Sequence, residues 1–102
     1  MASVGLTEED CIKRDLAIKT SLVPLGAVAK ANVSDMHDGF VKLIADRKGM
    51  LLGATVVAPH ASDIIHEIGL AIKHNISAHE LAELPHAFLS WGEAVRVAAA
   101  RL

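Results

Sequence analysis

The 102-residue sequence is poor in aromatic side chains, 3% with no tyrosine, although its hydrophobic content reaches 52%. Its core must therefore be assembled from Val, Ile, Leu and Ala. So many aliphatic side chains on so short a chain leave apolar surface that seeks a partner chain. Cysteine is reduced to one, Cys11, which excludes an internal disulfide and any C-x-x-C redox or zinc-ribbon motif. That usage suits a reducing compartment. Basic residues are scattered and the formal net charge is -2, so the electrostatic footprint of a nucleic-acid binder is missing. No apolar run approaches the roughly 18 residues that span a bilayer. The opening "MASVGLTEED" turns acidic at once and lacks the basic and apolar regions of a signal peptide. These absences lead to the expectation of one soluble, cytoplasmic domain over residues 1–102, with no nucleic-acid or membrane partner.

What is present reads as a mixed fold. Thr7 can cap a first helix whose first turn holds Glu8, Glu9 and Asp10, where the helix dipole favours negative charge. This helix, through "EEDCIKRDL", is expected to bury Cys11 and Leu16. In "AIKTSLVPL", Ile18, Thr20 and Leu22 alternate with Lys19 and Ser21, a half-buried strand that Pro24 ends. "GAVAKANVSDMHD" is ambiguous, with small residues and a turn signal from Ser34 to Asp38.

The clearest pattern is "GFVKLIADRKGMLLGATVVAP". Phe40–Asp46 and Met50–Ala58 read as two strands, and "DRKG" between them supplies hairpin chemistry through Gly49. Lys42 interrupts an apolar strand, so one sheet face is expected to meet solvent. Gly53 signals a bulge or a close backbone approach. In "SDIIHEIGLAIKHN", Ile64, Ile68, Ala71 and Ile72 share a helical face, with Ser62 as cap and Asn75 at the stop. Capping-box spacing recurs at Ser77–Glu80 and at Ser90–Glu93. The order of helix, strands, then helices predicts an α+β fold, with helices packed on one face of an antiparallel sheet.

Few residues suggest chemistry. Six histidines (37, 60, 66, 74, 79 and 86) invite a metal, but H-E-x-x-H is absent and the spacings are not those of helical ligand pairs. The doublets His66–Glu67 and His79–Glu80 have no second histidine at the required distance. No metal site is therefore expected. Cys11, inside an amphipathic helix, reads as an inert thiol. Gly26, Gly49 and Gly53 do not form a phosphate loop, so the chain alone is not expected to hold a dinucleotide. "LPHAFLSWGE" remains, with two readings open: a capped helix start anchored by Trp91, or a His–Glu pair acting as base and orienter.

"ASVGLTEED", "PLGAVAKANV", "DGFVKLIADRKGMLLGATVVAPHASDIIHEIGLAIKHNISAHELAEL" and "HAFLSWGEAVRVAAARL" together cover nearly the whole chain. In that combination the sequence resembles the C-terminal interface domain of the flavin-dependent pyridine nucleotide–disulfide oxidoreductases. It is most similar to the mercuric reductase and dihydrolipoamide dehydrogenase branches. The resemblance implies a two-layer dimerisation domain that holds two subunits together and completes the partner's active site. It also implies a homodimer, and FAD and NAD(P) bound by upstream domains of a parent enzyme and not by this chain. The chain would then be the excised C-terminal part of a longer flavoenzyme, inactive alone.

In the resembling family, a motif of the form H-A-H-P-T-L-S-E-A precedes the last helix. Its second histidine is the acid–base catalyst, and its glutamate orients that histidine. "HAFLSWGEA" sets His86 at the first histidine, Phe88 at the catalytic one and Glu93 at the glutamate. Phenylalanine moves no proton. His86 and Glu93 are therefore the candidate catalytic residues that the resemblance leaves, with His86 two residues from the usual position. The rival expectation is a free-standing small binding protein that uses its histidines for a metal or a small ligand.

Overall fold

A β-hairpin organises the computed structural model, which describes residues 1–30, 38–87 and 89–102. In chain order the elements are β1 (Ala2–Gly5), α1 (Glu8–Lys13), β2 (Ile18–Pro24), a 3-10 turn (Leu25–Ala27), β3 (Phe40–Asp46), β4 (Leu51–Val57), α2 (Ala61–Lys73), α3 (Ala78–Glu83) and α4 (Glu93–Ala100). The β3–β4 turn closes as expected. Asp46 Oδ1 accepts the N–H groups of Lys48 and Met50 at 2.8 and 2.9 Å, and Gly49 supplies a φ of 87°. The strands add outward in the order β1-β4-β3-β2, every pair antiparallel.

Register divides the sheet into two faces. Val23, Val41 and Val56 form one row, and Ser21, Leu43 and Ala54 the next, all buried. α2 packs over β1 and β4, while α4 packs over β2 and β3. Ile64, Ile65, Ile68 and Ala71 of α2 and Ala94, Val95, Ala98 and Ala99 of α4 belong to one aliphatic core with Trp91. Each fully buried Ile or Leu there contributes about 1.5–3 kcal/mol against exposure. The two-layer α+β architecture is the one the sequence predicts.

The opposite face carries Leu22, Lys42 and Thr55 in register. Because β1 and β2 lie at opposite edges, residues 6–17 must cross three strand spacings, about 14 Å. α1 makes that crossing. The Glu8–Lys42 ion pair ties it to this face, and Cys11 and Ile44 are buried there, apart from the main core. Gly53 permits the crossing, since a Cβ on it would stand 1.9 Å from the Leu6 carbonyl oxygen. Beside it the register jumps from Ile44↔Gly53 to Ala45↔Leu51, leaving Leu52 as a bulge. Both readings of Gly53 hold.

Four local expectations are corrected. β2 buries the other side of its alternation: Ser21 and Val23 are inside, and Leu22 is 54% exposed. Ile18, Thr20 and Leu22 are as apolar a set, but only the Val23 row lies beneath α4, and a shift of one residue exchanges the faces. α1 stops at Lys13, and Asp15 turns left-handed (φ 56°), so Leu16 is 42% exposed instead of buried. α2 is preceded by His60, also left-handed (φ 58°), so Ser62 falls inside the first turn and caps nothing. The Ser90–Glu93 box does not form as a box, for reasons given below. The capping boxes at Thr7–Asp10 and Ser77–Glu80 are complete, and Asn75 (φ 56°) ends α2 as expected. Of the turn signal from Ser34 to Asp38, residues 34–37 lie outside the described residues.

Candidate functional site

α3 gives way at Leu84 to extended backbone (φ -67°, ψ 128°), the conformation that the following Pro85 imposes. The next residue is His86. Its side chain is only 7% exposed, with Nδ1 2.7 Å from the Leu84 carbonyl oxygen and Nε2 2.5 Å from Glu67 Oε2. Glu67 stands on the flank of α2, between the core residues Ile64 and Ile68. Both ring nitrogens thus face oxygen acceptors. A neutral imidazole has one N–H, so filling both contacts takes a second proton, on the ring or on the carboxyl group.

Glu93, in the first turn of α4, faces elsewhere. Its Oε1 accepts the Leu89 N–H at 2.8 Å, and its Oε2 lies 3.9 Å from Arg96 Nη2. Leu89 has a φ of 59°, a conformation few residues with a Cβ adopt, and the Glu93 carboxylate braces it. The Ser90 hydroxyl donates to the Ala87 carbonyl at 2.6 Å and accepts no N–H of α4, whose N-cap position is Gly92. The carboxylate half of the capping box is therefore present but reaches one residue too far back, and the hydroxyl half is absent. Trp91 anchors the turn in the core, as expected. Phe88 lies outside the described residues.

The structure thus brings His86 and Glu93 onto one segment but gives them different partners. Glu67 was visible in the sequence only as half of an H-E doublet. No spacing rule pairs it with a histidine 19 residues later.

The other described histidines are exposed; His79 pairs with Glu83 at 2.9 Å and His60 lies 3.8 Å from Asp63. Among the described residues no group of three or more His, Cys, Asp or Glu side chains could hold a metal ion. A cleft of about 230 Å³ lies between Lys19, Lys48, His79 and the end of α4. It is smaller than the roughly 300–1,000 Å³ of ordinary ligand pockets. With no glycine-rich strand-to-helix turn among the described residues, those lining it do not fit FAD or NAD(P). No helix of the described residues is long and apolar enough to cross a membrane.

The model of one family, described as "Pyridine nucleotide-disulphide oxidoreductase, dimerisation domain", matches residues 1–99. The chain belongs to this family. The dimerisation domain is 38% identical over 99 residues to a mercuric reductase of Bacillus cereus, covering 96% of this chain and 16% of that protein. It is 36% identical over 100 residues to mitochondrial dihydrolipoyl dehydrogenase 1 of Arabidopsis thaliana, covering 97% and 20%. Among solved structures it superposes on LpdA of Mycobacterium tuberculosis with a TM-score of 0.90 at 34% identity, covering 97% of this chain and 22% of that one. The dimerisation domain therefore spans about a fifth of the length of these relatives.

Proposed function

We propose that this dimerisation domain joins two subunits of a homodimeric, cytoplasmic oxidoreductase, mercuric-reductase-like or dihydrolipoamide-dehydrogenase-like. FAD and NAD(P) would be held by other parts of the longer protein, and the isolated chain would catalyse nothing. The observation that carries the reading is the family match over residues 1–99, in a chain spanning about a fifth of its relatives. Large apolar side chains on the surface support it: Ile12 is 76% exposed, Leu70 58%, Leu22 54% and Leu84 49%. A partner of the same kind would cover such surface.

The segment from Leu84 to Glu93 is the part we propose for completing the partner's active site. His86 and Glu93 are its titratable side chains, and Phe88, at the family's acid–base position, carries no proton. In this reading Glu93 holds the backbone at Leu89 and His86 retains the segment's proton.

Sedimentation of the 102-residue chain tests the assembly. A dimer at high micromolar concentration is expected, and a clean monomer there refutes the proposed joining role. No cluster among the described residues favours the histidine-based binding alternative.

A further inference from the structure

We infer that Glu67 is the positioning residue of His86, and that a proton held between them clasps residues 84–87 to α2. The Leu84 carbonyl can only accept, so the ring nitrogen 2.7 Å from it, Nδ1, carries a hydrogen. Nε2 is left 2.5 Å from a Glu67 carboxylate oxygen. Without a proton there, a ring lone pair and a carboxylate would face each other at hydrogen-bond distance, a repulsive contact. With one, the contact is a charge-assisted bond, about twice as strong as a neutral one. The ring side chain is 7% exposed, so the ring itself is largely removed from water.

The two sides of the clasp differ in rigidity. Glu67 rides on a 13-residue helix whose Ile64 and Ile68 are set in the core. Residues 84–87 belong to no helix or strand. Position is therefore transmitted from α2 to the segment. The neighbouring carboxylates are engaged elsewhere: Glu93 of α4 with Leu89 N–H and Arg96, and Glu83 of α3 with His79. Glu67 is the carboxylate left to the ring. The functional meaning of the clasp rests on the reading above, since the clasped segment leads to position 88. The clasp itself does not rest on it.

The test is a long-range ¹H–¹⁵N spectrum of the histidine rings in the full 102-residue chain at pH 7. Protonated-type shifts are expected at both nitrogens of His86. In Glu67→Gln the amide can donate to Nε2, leaving Nδ1 as the protonated nitrogen. The Nε2 shift should then change from the protonated type to that of a nitrogen accepting a hydrogen bond, while Nδ1 is unchanged. A purely mechanical brace would leave the Nε2 shift as it was, because glutamine fills the same space.

The inference is overturned if wild-type His86 is the neutral Nε2–H tautomer, a result independent of how the variant folds. It is equally overturned if Glu67→Gln leaves the Nε2 shift unchanged. A monomer in sedimentation with the proton count intact would refute the joining role and spare the clasp. A dimer with the wrong tautomer would do the reverse.

Discussion

Replacing Gly53 by alanine puts a methyl group where the chain already runs. The new Cβ would lie 1.9 Å from the Leu6 oxygen and 2.9 Å from the Leu6 nitrogen and carbonyl carbon, whereas ordinary contact begins near 3.4 Å. Leu6 must therefore withdraw by about 1.5 Å, the difference between those contacts. That motion breaks the Leu6 N–H bond to the Leu52 carbonyl, now 2.9 Å, and pulls on the pairs Gly5↔Gly53 and Val4↔Ala54. One or two lost hydrogen bonds plus overpacking amount to about 3 kcal/mol.

Gly49→Ala is the control. It has a φ of 87° but no atom within 4 Å of an added Cβ, so only conformational strain applies, about 1 kcal/mol. Urea unfolding at one fixed protein concentration, needed because assembly shifts apparent stability, measures both. The melting temperature of Gly53→Ala should fall by roughly 12–24 °C. Amide exchange at Val4 and Leu6 should accelerate in Gly53→Ala and not in Gly49→Ala. If Gly53→Ala costs no more than Gly49→Ala, the steric argument for the α1 crossing is wrong.

Ser21 is 6% exposed, and its hydroxyl has no hydrogen-bond partner among the described groups. Ser21→Ala is expected to be neutral or to stabilise by up to about 1 kcal/mol in the same urea assay, and a clear loss would reveal a partner for the hydroxyl. The Asp10 carboxyl is held below its ordinary value of 3.8, chiefly by the Thr7 backbone N–H and then by the Thr7 hydroxyl. The folded state therefore binds fewer protons here than the unfolded chain. The resulting stability is present above pH 3.8 and is lost as pH falls through the lower folded value. Carboxyl-carbon titration should place Asp10 below its ordinary value of 3.8, and Asp10→Asn should flatten the acid limb of the stability curve. A titration at or above 3.8 would count against the capping box.

The hairpin was legible because three signals agreed: a strand-like apolar run in Phe40–Asp46, turn chemistry from Asp46 onward and a glycine at position 49. Thr7 and Ser77 were legible as caps because a cap is settled within four residues. The face of β2 was not, since Ser21 and Leu22 exchange roles according to which side α4 covers. The stop at Lys13 and the left-handed His60 depend on where the chain must go next, which local propensity does not encode. At the site, His86 and Glu93 could be selected by resemblance. Glu67 could not, because its partnership is created by the packing of α2 against the segment after α3.

Strand order has one further consequence. With β1 and β2 at opposite edges, α1 lies across the outer sheet face with its own Cys11 fully buried. The chain thus contains its own chemical clock. A thiol reagent reaches that sulfur only while the crossing segment is lifted, so the labelling rate counts openings of that segment alone, with no probe introduced. The sheet's outer face can in this way be timed separately from the core on its other side.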